Sequence, residues 1–167
     1  MALIEKIKSA DELALWLETS RKEGQKVVFT NGCFDLLHPG HLHYLEKARK
    51  MGDILVVGIN SDESIRRIKG SKRPLTPESD RLQMLAALEC VSFVTVFNEP
   101  DPLNLILKIK PDVLVKGGDW SVDRIIGKDK VEERGGKVVS ISLTPGYSTT
   151  ALIERIVERY GTGSSVP

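Results

Sequence analysis

Short apolar runs alternate along this chain with stretches whose apolar residues recur every three or four positions. The runs are "KVVFT" from Lys26, "DILVVGI" from Asp53, "VSFVTVF" from Val91, "DVLVK" from Asp112 and "KVVSISL" from Lys137. Nearly continuous β-branched and apolar runs of this length predict strands covered on both faces. The intervening stretches predict helices. In residues 11 to 23, Leu13, Trp16 and Leu17 fall at helical spacing and Gly24 follows as a stop. From Pro39 to Lys50, Leu42, Leu45 and Ala48 are expected to face the sheet, with Pro in the first turn and Gly52 just past the end. "SDESIRRIK" predicts a short helix, "PESDRLQMLAALE" a better one with Leu82, Leu85 and Ala86 on one face, and "PLNLILKIK" and "KDKVEERGG" two more. "STTALIERIVERY" predicts the last.

Strands alternating with amphipathic helices predict an α/β fold: a Rossmann-like three-layer α/β/α arrangement around a five-stranded parallel sheet. The expected domain division is an N-terminal helix over 1–24 packed on the domain, the domain itself over 25–160, and a flexible tail over 161–167. No apolar run approaches the roughly 18 residues of a membrane helix.

Composition narrows the partners. The chain has 167 residues, 41% hydrophobic and 28% charged, with a net charge of +1, so no overall basic field argues for nucleic acid. Cys33 and Cys90 lie far apart, without metal-binding spacing. The amino terminus mixes acidic residues into an amphipathic pattern, unlike a signal or transit peptide. The expected location is the cytoplasm, with no membrane partner.

In parallel sheets, ligands bind at the carboxyl ends of the strands. Those segments here are "TNGCFDLLHPGH", "NSDES", "NEPD", "KGGDW" and "TPGYSTT", rich in Gly, Ser, Thr, Asp, Lys and His. His38 and His41 sit three apart at a helix start and share one helix face. Both could reach an anion held at the helix N-terminus, with Gly40 leaving room for it. Alternatively, they join His43 in a metal site, although paired zinc histidines on a helix are usually four apart, or they only cap and pack the turn. Ser148, Thr149 and Thr150 include an N-cap and offer more hydroxyls than capping needs. Gly117 and Gly118 allow close backbone approach between Lys116 and Asp119. Arg66, Arg67, Lys69, Lys72 and Arg73 form the densest basic run, in a stretch whose Gly and Pro predict a mobile loop. That run is either a solvated surface or a flap over a polyphosphate, at which Arg81 could also aim.

Taken together, "GCFDLLHPGH" and the later "GYSTT" resemble the two signatures of the HxGH nucleotidyltransferases, a cytidylyltransferase-like superfamily, over roughly Lys26 to Ile156. Within it, "TNGCFDLLHPGH", "NSDES", "KGSKRPLTP" and "LVKGGDW" look like the D-glycero-D-manno-heptose 1-phosphate adenylyltransferase group, here in a stand-alone form. The resemblance implies an enzyme that moves AMP from ATP, with Mg²⁺, to a sugar 1-phosphate, and it allows a homodimer. It implies that His38 and His41 stabilise the transition state at the α-phosphate, with Lys69 and Arg81 as further catalytic cations. It implies ATP contacts from Asn31, Gly32, Cys33, Phe34, Gly40, His41, Lys116, Gly117, Asp119, Ser148, Thr149 and Thr150. Asp35, Lys69 and Arg73 are expected at the acceptor, and no protein-held metal is expected. Cytidylyltransferases of the group carry arginine where this chain has Leu143, and an aspartate where it has Gly118. Relatives that use CTP, and several that use ATP, carry Thr in place of Cys33. These departures favour ATP over CTP. A cytidylyltransferase acting on a polyol phosphate and a non-catalytic nucleotide-binding protein are the alternatives.

Overall fold

The computed structural model describes residues 3–118 and 121–161. Five parallel strands, β1 (Val27–Gly32), β2 (Ile54–Asn60), β3 (Phe93–Phe97), β4 (Val113–Gly117) and β5 (Lys137–Ile141), form one sheet in the order β3-β2-β1-β4-β5. β1 lies at the centre, pairing Val28 with Leu55 on one side and with Val113 on the other. The helices are α1 (Ala10–Lys22), α2 (Pro39–Arg49), α3 (Asp62–Lys69), α4 (Glu78–Ala86), α5 (Leu103–Ile109), α6 (Lys128–Glu132) and α7 (Thr149–Tyr160).

The strand order dictates which face each helix covers. From β1 the chain steps outward to β2 and β3, then returns past β1 to β4 and β5. Parallel crossovers are right-handed, so a reversal of direction moves the connecting helices to the opposite face. Accordingly, Tyr44 and Leu45 of α2 and Leu85 of α4 pack with Val28, Val57 and Val115. Leu13 and Leu17 of α1, Ile106 and Ile109 of α5 and Val131 of α6 pack with Phe29, Val56 and Leu114 on the other face. Strand order reverses between β1 and β4, the place where parallel sheets take their ligands, and a cavity lined by Asn31, Leu114 and Lys116 lies between these two strands.

Local signals set most element starts. Ser9 caps α1 in a capping box with Glu12, and His38 caps α2 ahead of Pro39. Two details depart from the periodicity. Leu42, expected against the sheet, is 38% exposed, and Tyr44 takes the buried place beside Leu45 and Ala48. α7 has an apolar pattern but no buried residue, with Ile156, Val157 and Tyr160 exposed. Short 3-10 turns at Leu3–Lys6 and Val122–Arg124 were not legible in the pattern. After the first of these, Ile7 bridges Val94, and the Lys8 N–H donates to the Val94 carbonyl at 3.1 Å, along the outer side of β3.

Candidate active site

The two histidines are built into the junction between β1 and α2. His38 is the N-cap of α2, its backbone extended, and its Nδ1 accepts from the His41 N–H at 3.3 Å. An accepting Nδ1 carries no proton, so neutral His38 holds its proton on Nε2 and presents a donor there. His41 lies one turn on, its ring stacked on that of His38 with centroids 3.8 Å apart and planes 16° from parallel. Burial holds the His41 pKa down to about 4, and the neighbouring His38 pushes the same way. Burial also lowers the pKa of His38. Both rings are therefore neutral at pH 7, donors rather than fixed charges. The Nδ1 of His41 is buried and has no hydrogen-bond partner among the described residues.

Gly40 explains how the second signature reaches this pair. A Cβ there would lie 2.8 Å from the Tyr147 Cβ and 3.0 Å from the His38 Nδ1. Without one, the Tyr147 ring sits parallel to His38 with centroids 6.2 Å apart. Ser148, the next residue, caps α7 by accepting from the Ala151 N–H at 3.0 Å. Its hydroxyl is therefore the capping one, and Thr149 and Thr150 carry the remaining hydroxyls of the cluster. His43 is exposed and points instead to Thr144 Oγ1, 3.4 Å away. Among the described residues no three His, Cys, Asp or Glu side chains gather as a metal site.

Tyr44, which sequence reasoning passed over, anchors the helix carrying the histidines. Its hydroxyl bonds with Thr30 Oγ1 of β1 and donates to the Val115 carbonyl of β4 at 3.3 Å, spanning the point where strand order reverses. The only available signal was its place one turn beyond His41. Across the same reversal, Lys116 Nζ stands 3.5 Å from Asn31 Oδ1, and burial lowers its pKa. Both line a cavity of about 150 Å³ with Pro102, Leu114, Ile125 and the unforeseen Arg124. Asp119 lies outside the described residues.

Around Cys33 the site is cationic. Burial raises the thiol's pKa, while the charges of Lys69, Arg81 and Arg73 act in the opposite direction. The Cys33 Sγ lies 3.9 Å from Asn60 Oδ1. Lys69 is exposed at the end of α3. The other expected contacts have structural occupations. Asp35 is 1% exposed and accepts from the Arg73 guanidinium and, at 2.8 Å each, from the Leu75 and Thr76 N–H groups. Arg81, expected to reach an anion, is fully buried and donates to Thr76 O, Cys33 O, Asn60 O and Asp62 Oδ1. The loop expected to be mobile is thus held at residues 73–76 from two sides.

A parallel sheet whose order reverses beside two stacked imidazoles at a helix start, with lysine and arginine charges acting on the neighbouring Cys33 turn, defines an α/β protein of the nucleotide-phosphate-handling kind. Comparison with known proteins gives the family. The chain belongs to the cytidylyltransferase-like family, whose model matches residues 29–155. It is 52% identical over 155 residues to the bifunctional protein HldE of Pelobacter propionicus, covering 93% of this chain and 32% of that protein. With HldE of Syntrophotalea carbinolica the identity is 55% over 158 residues, covering 95% and 32%. The chain therefore spans about a third of the length of these relatives. The crystal structure of a lipopolysaccharide core biosynthesis protein from Thermoplasma volcanium has the same fold, with a TM-score of 0.59 and 32% identity, over 72% of this chain and 97% of that one.

Proposed function

We propose that this protein is a heptose 1-phosphate adenylyltransferase, moving AMP from ATP to D-glycero-D-manno-heptose 1-phosphate with release of pyrophosphate. The observation that carries the reading is the stacked His38–His41 pair beside the Tyr147 ring, at the start of the helix that follows β1. A phosphate oxygen of the sugar 1-phosphate attacks the α-phosphorus, and the bond from that phosphorus to the β-phosphate oxygen breaks. The nucleophile is already an anion near neutral pH, so no general base is needed. The protein's part is positioning and charge neutralisation.

In this reading, His38 and His41 donate to the α-phosphate oxygens as charge builds there. The backbone N–H groups of the Gly32–Phe34 turn and of Gly40, with Thr149, Thr150 and the Ser148 backbone, hold the triphosphate. Asn31, Lys116 and Gly117 flank the nucleotide, and Asp119 is assigned beside them from the resemblance. Lys69 and Arg73 face the phosphates of acceptor and leaving group, while Asp35 holds the loop that carries Arg73. Mg²⁺ would arrive with ATP as part of the substrate and would offset the negative charge of its phosphates.

The test is incubation with ATP, Mg²⁺ and heptose 1-phosphate, read by mass for ADP-heptose and by pyrophosphate release. A product appearing only with CTP and glycerol 3-phosphate would replace the substrates. ATP binding without pyrophosphate release from any acceptor would make the protein a non-catalytic nucleotide binder.

A further inference from the structure

Among the described residues, Arg81 is the largest of the fully buried side chains, and its surroundings are specific. One terminal nitrogen, Nη1, donates to Cys33 O at 2.7 Å and to Asn60 O at 2.9 Å, spanning the ends of β1 and β2. Nε donates to Thr76 O at 3.0 Å and Nη2 to Asp62 Oδ1 at 2.8 Å. The guanidinium is thus fixed from four directions, and its planarity fixes in turn whatever it holds.

What it holds is one peptide group of the turn. In a planar trans peptide the carbonyl and the following N–H point in opposite directions. With the Cys33 carbonyl drawn inward to Arg81, the Phe34 N–H is turned outward. No described residue accepts from that N–H. Phe34 itself has a φ of +48°. A left-handed backbone costs an L-residue roughly 1–2 kcal/mol and persists only where the surroundings over-determine it. Here the Phe34 ring lies where a Cβ on Gly32 would come within 3.0 Å, and the next residue, Asp35, is tied to Leu75 and Thr76. The Phe34 ring also faces His41, with centroids 5.2 Å apart. The strained turn is held from both ends, with the N–H groups from Cys33 to His38 donating to no described residue, and Arg81 fixes directly the peptide that carries the Phe34 N–H.

We infer that Arg81 is a positioning residue that fixes the Cys33–Phe34 peptide so that the Phe34 N–H meets the triphosphate. This rests on the adenylyltransferase reading above. Arg81 touches no substrate; it acts through the turn. A lysine in its place would keep the charge but could not hold four acceptors in one plane.

The experiment uses the full chain with selectively ¹⁵N-labelled phenylalanine, of which there are four. Phe29, Phe93 and Phe97 lie in strands, so Phe34 is the one turn amide. Adding ATP and Mg²⁺ should shift the Phe34 amide most. In Arg81→Lys that shift should shrink and the KM for ATP should rise about tenfold, as for one lost hydrogen bond to a charged group. The KM for the acceptor should stay within about twofold. A merely structural arginine would lower kcat through a smaller active fraction and leave both KM values alone. That result would overturn the proposal, as would an unmoved Phe34 amide in wild-type protein that binds ATP. If Arg81→Lys does not fold, Asp62→Asn loosens the same guanidinium, and an unchanged KM for ATP there has the same force. Failure of the wild-type chain to bind ATP would sink the adenylyltransferase reading instead.

Discussion

A histidine with a pKa of about 4 is an unusual thing to find at a helix start, where solvated histidines titrate near 6.5. Burial and a stacked neighbour keep His41 neutral, so His41 can donate to developing charge without holding a permanent one. His41→Ala should therefore cut kcat by roughly 10² to 10³ while changing ATP affinity little, the pattern of a donor acting mainly in the transition state. Steady-state kinetics beside calorimetric ATP binding check this. The same pKa has a consequence for stability. Between pH 6.5 and about 4 the unfolded chain carries a proton on His41 that the folded chain does not. The unfolded state binds more protons there, so stability should fall as pH drops through that window and level off below it. Thermal melts stepped across pH 7 to 3.5, compared with His41→Ala, should show the difference. The three-residue spacing of His38 and His41 was legible in the sequence. The tautomer of His38 and the orphaned Nδ1 of His41 were not, because each depends on atoms that only folding brings near.

Single elements divide in the same way. Caps act within three or four residues, so the starts of α2 and α7 could be read from His38-Pro39 and Ser148. Asp35 and Arg81 could not be read, and both looked like site residues. Asp35 finds its partners at Arg73, Leu75 and Thr76, 38 to 41 positions away, and Arg81 reaches back 19, 21 and 48 positions to Asp62, Asn60 and Cys33 as well as to nearby Thr76. A charged residue near a site looks the same in sequence whether it binds substrate or braces a loop. Asp35→Ala should destabilise the fold by about 3–5 kcal/mol, since it strands a part-buried arginine and two backbone N–H groups. Denaturant titration measures that. Gly40→Ala tests the contact between α2 and the lead-in to α7. Alanine in place of glycine normally favours a helix, yet at this first-turn position the new methyl would press on Tyr147 and His38. Turnover should fall about 10²-fold, the cost of displacing a site by an ångström. The melting temperature, followed by circular dichroism, should change far less than in Asp35→Ala.

For the whole molecule, the five strands and their parallel direction followed from alternating apolar runs. The order β3-β2-β1-β4-β5 did not, since no run says which neighbour it will pair with. The pattern also overstated α7, whose apolar residues predict a packed helix and are left largely open. Periodicity records that a face is apolar, not that something covers it.

The contact of Ile7 and Lys8 with Val94 guards the fold against itself. A bare rim strand is a template on which another molecule can stack, and a short bridge along it blocks that approach. Deleting residues 1 to 8 should leave the reaction chemistry intact yet uncover the Val94 carbonyl. The shortened chain should then sediment as larger, concentration-dependent species, whereas an unchanged sedimentation profile would show that the bridge has no such protective part.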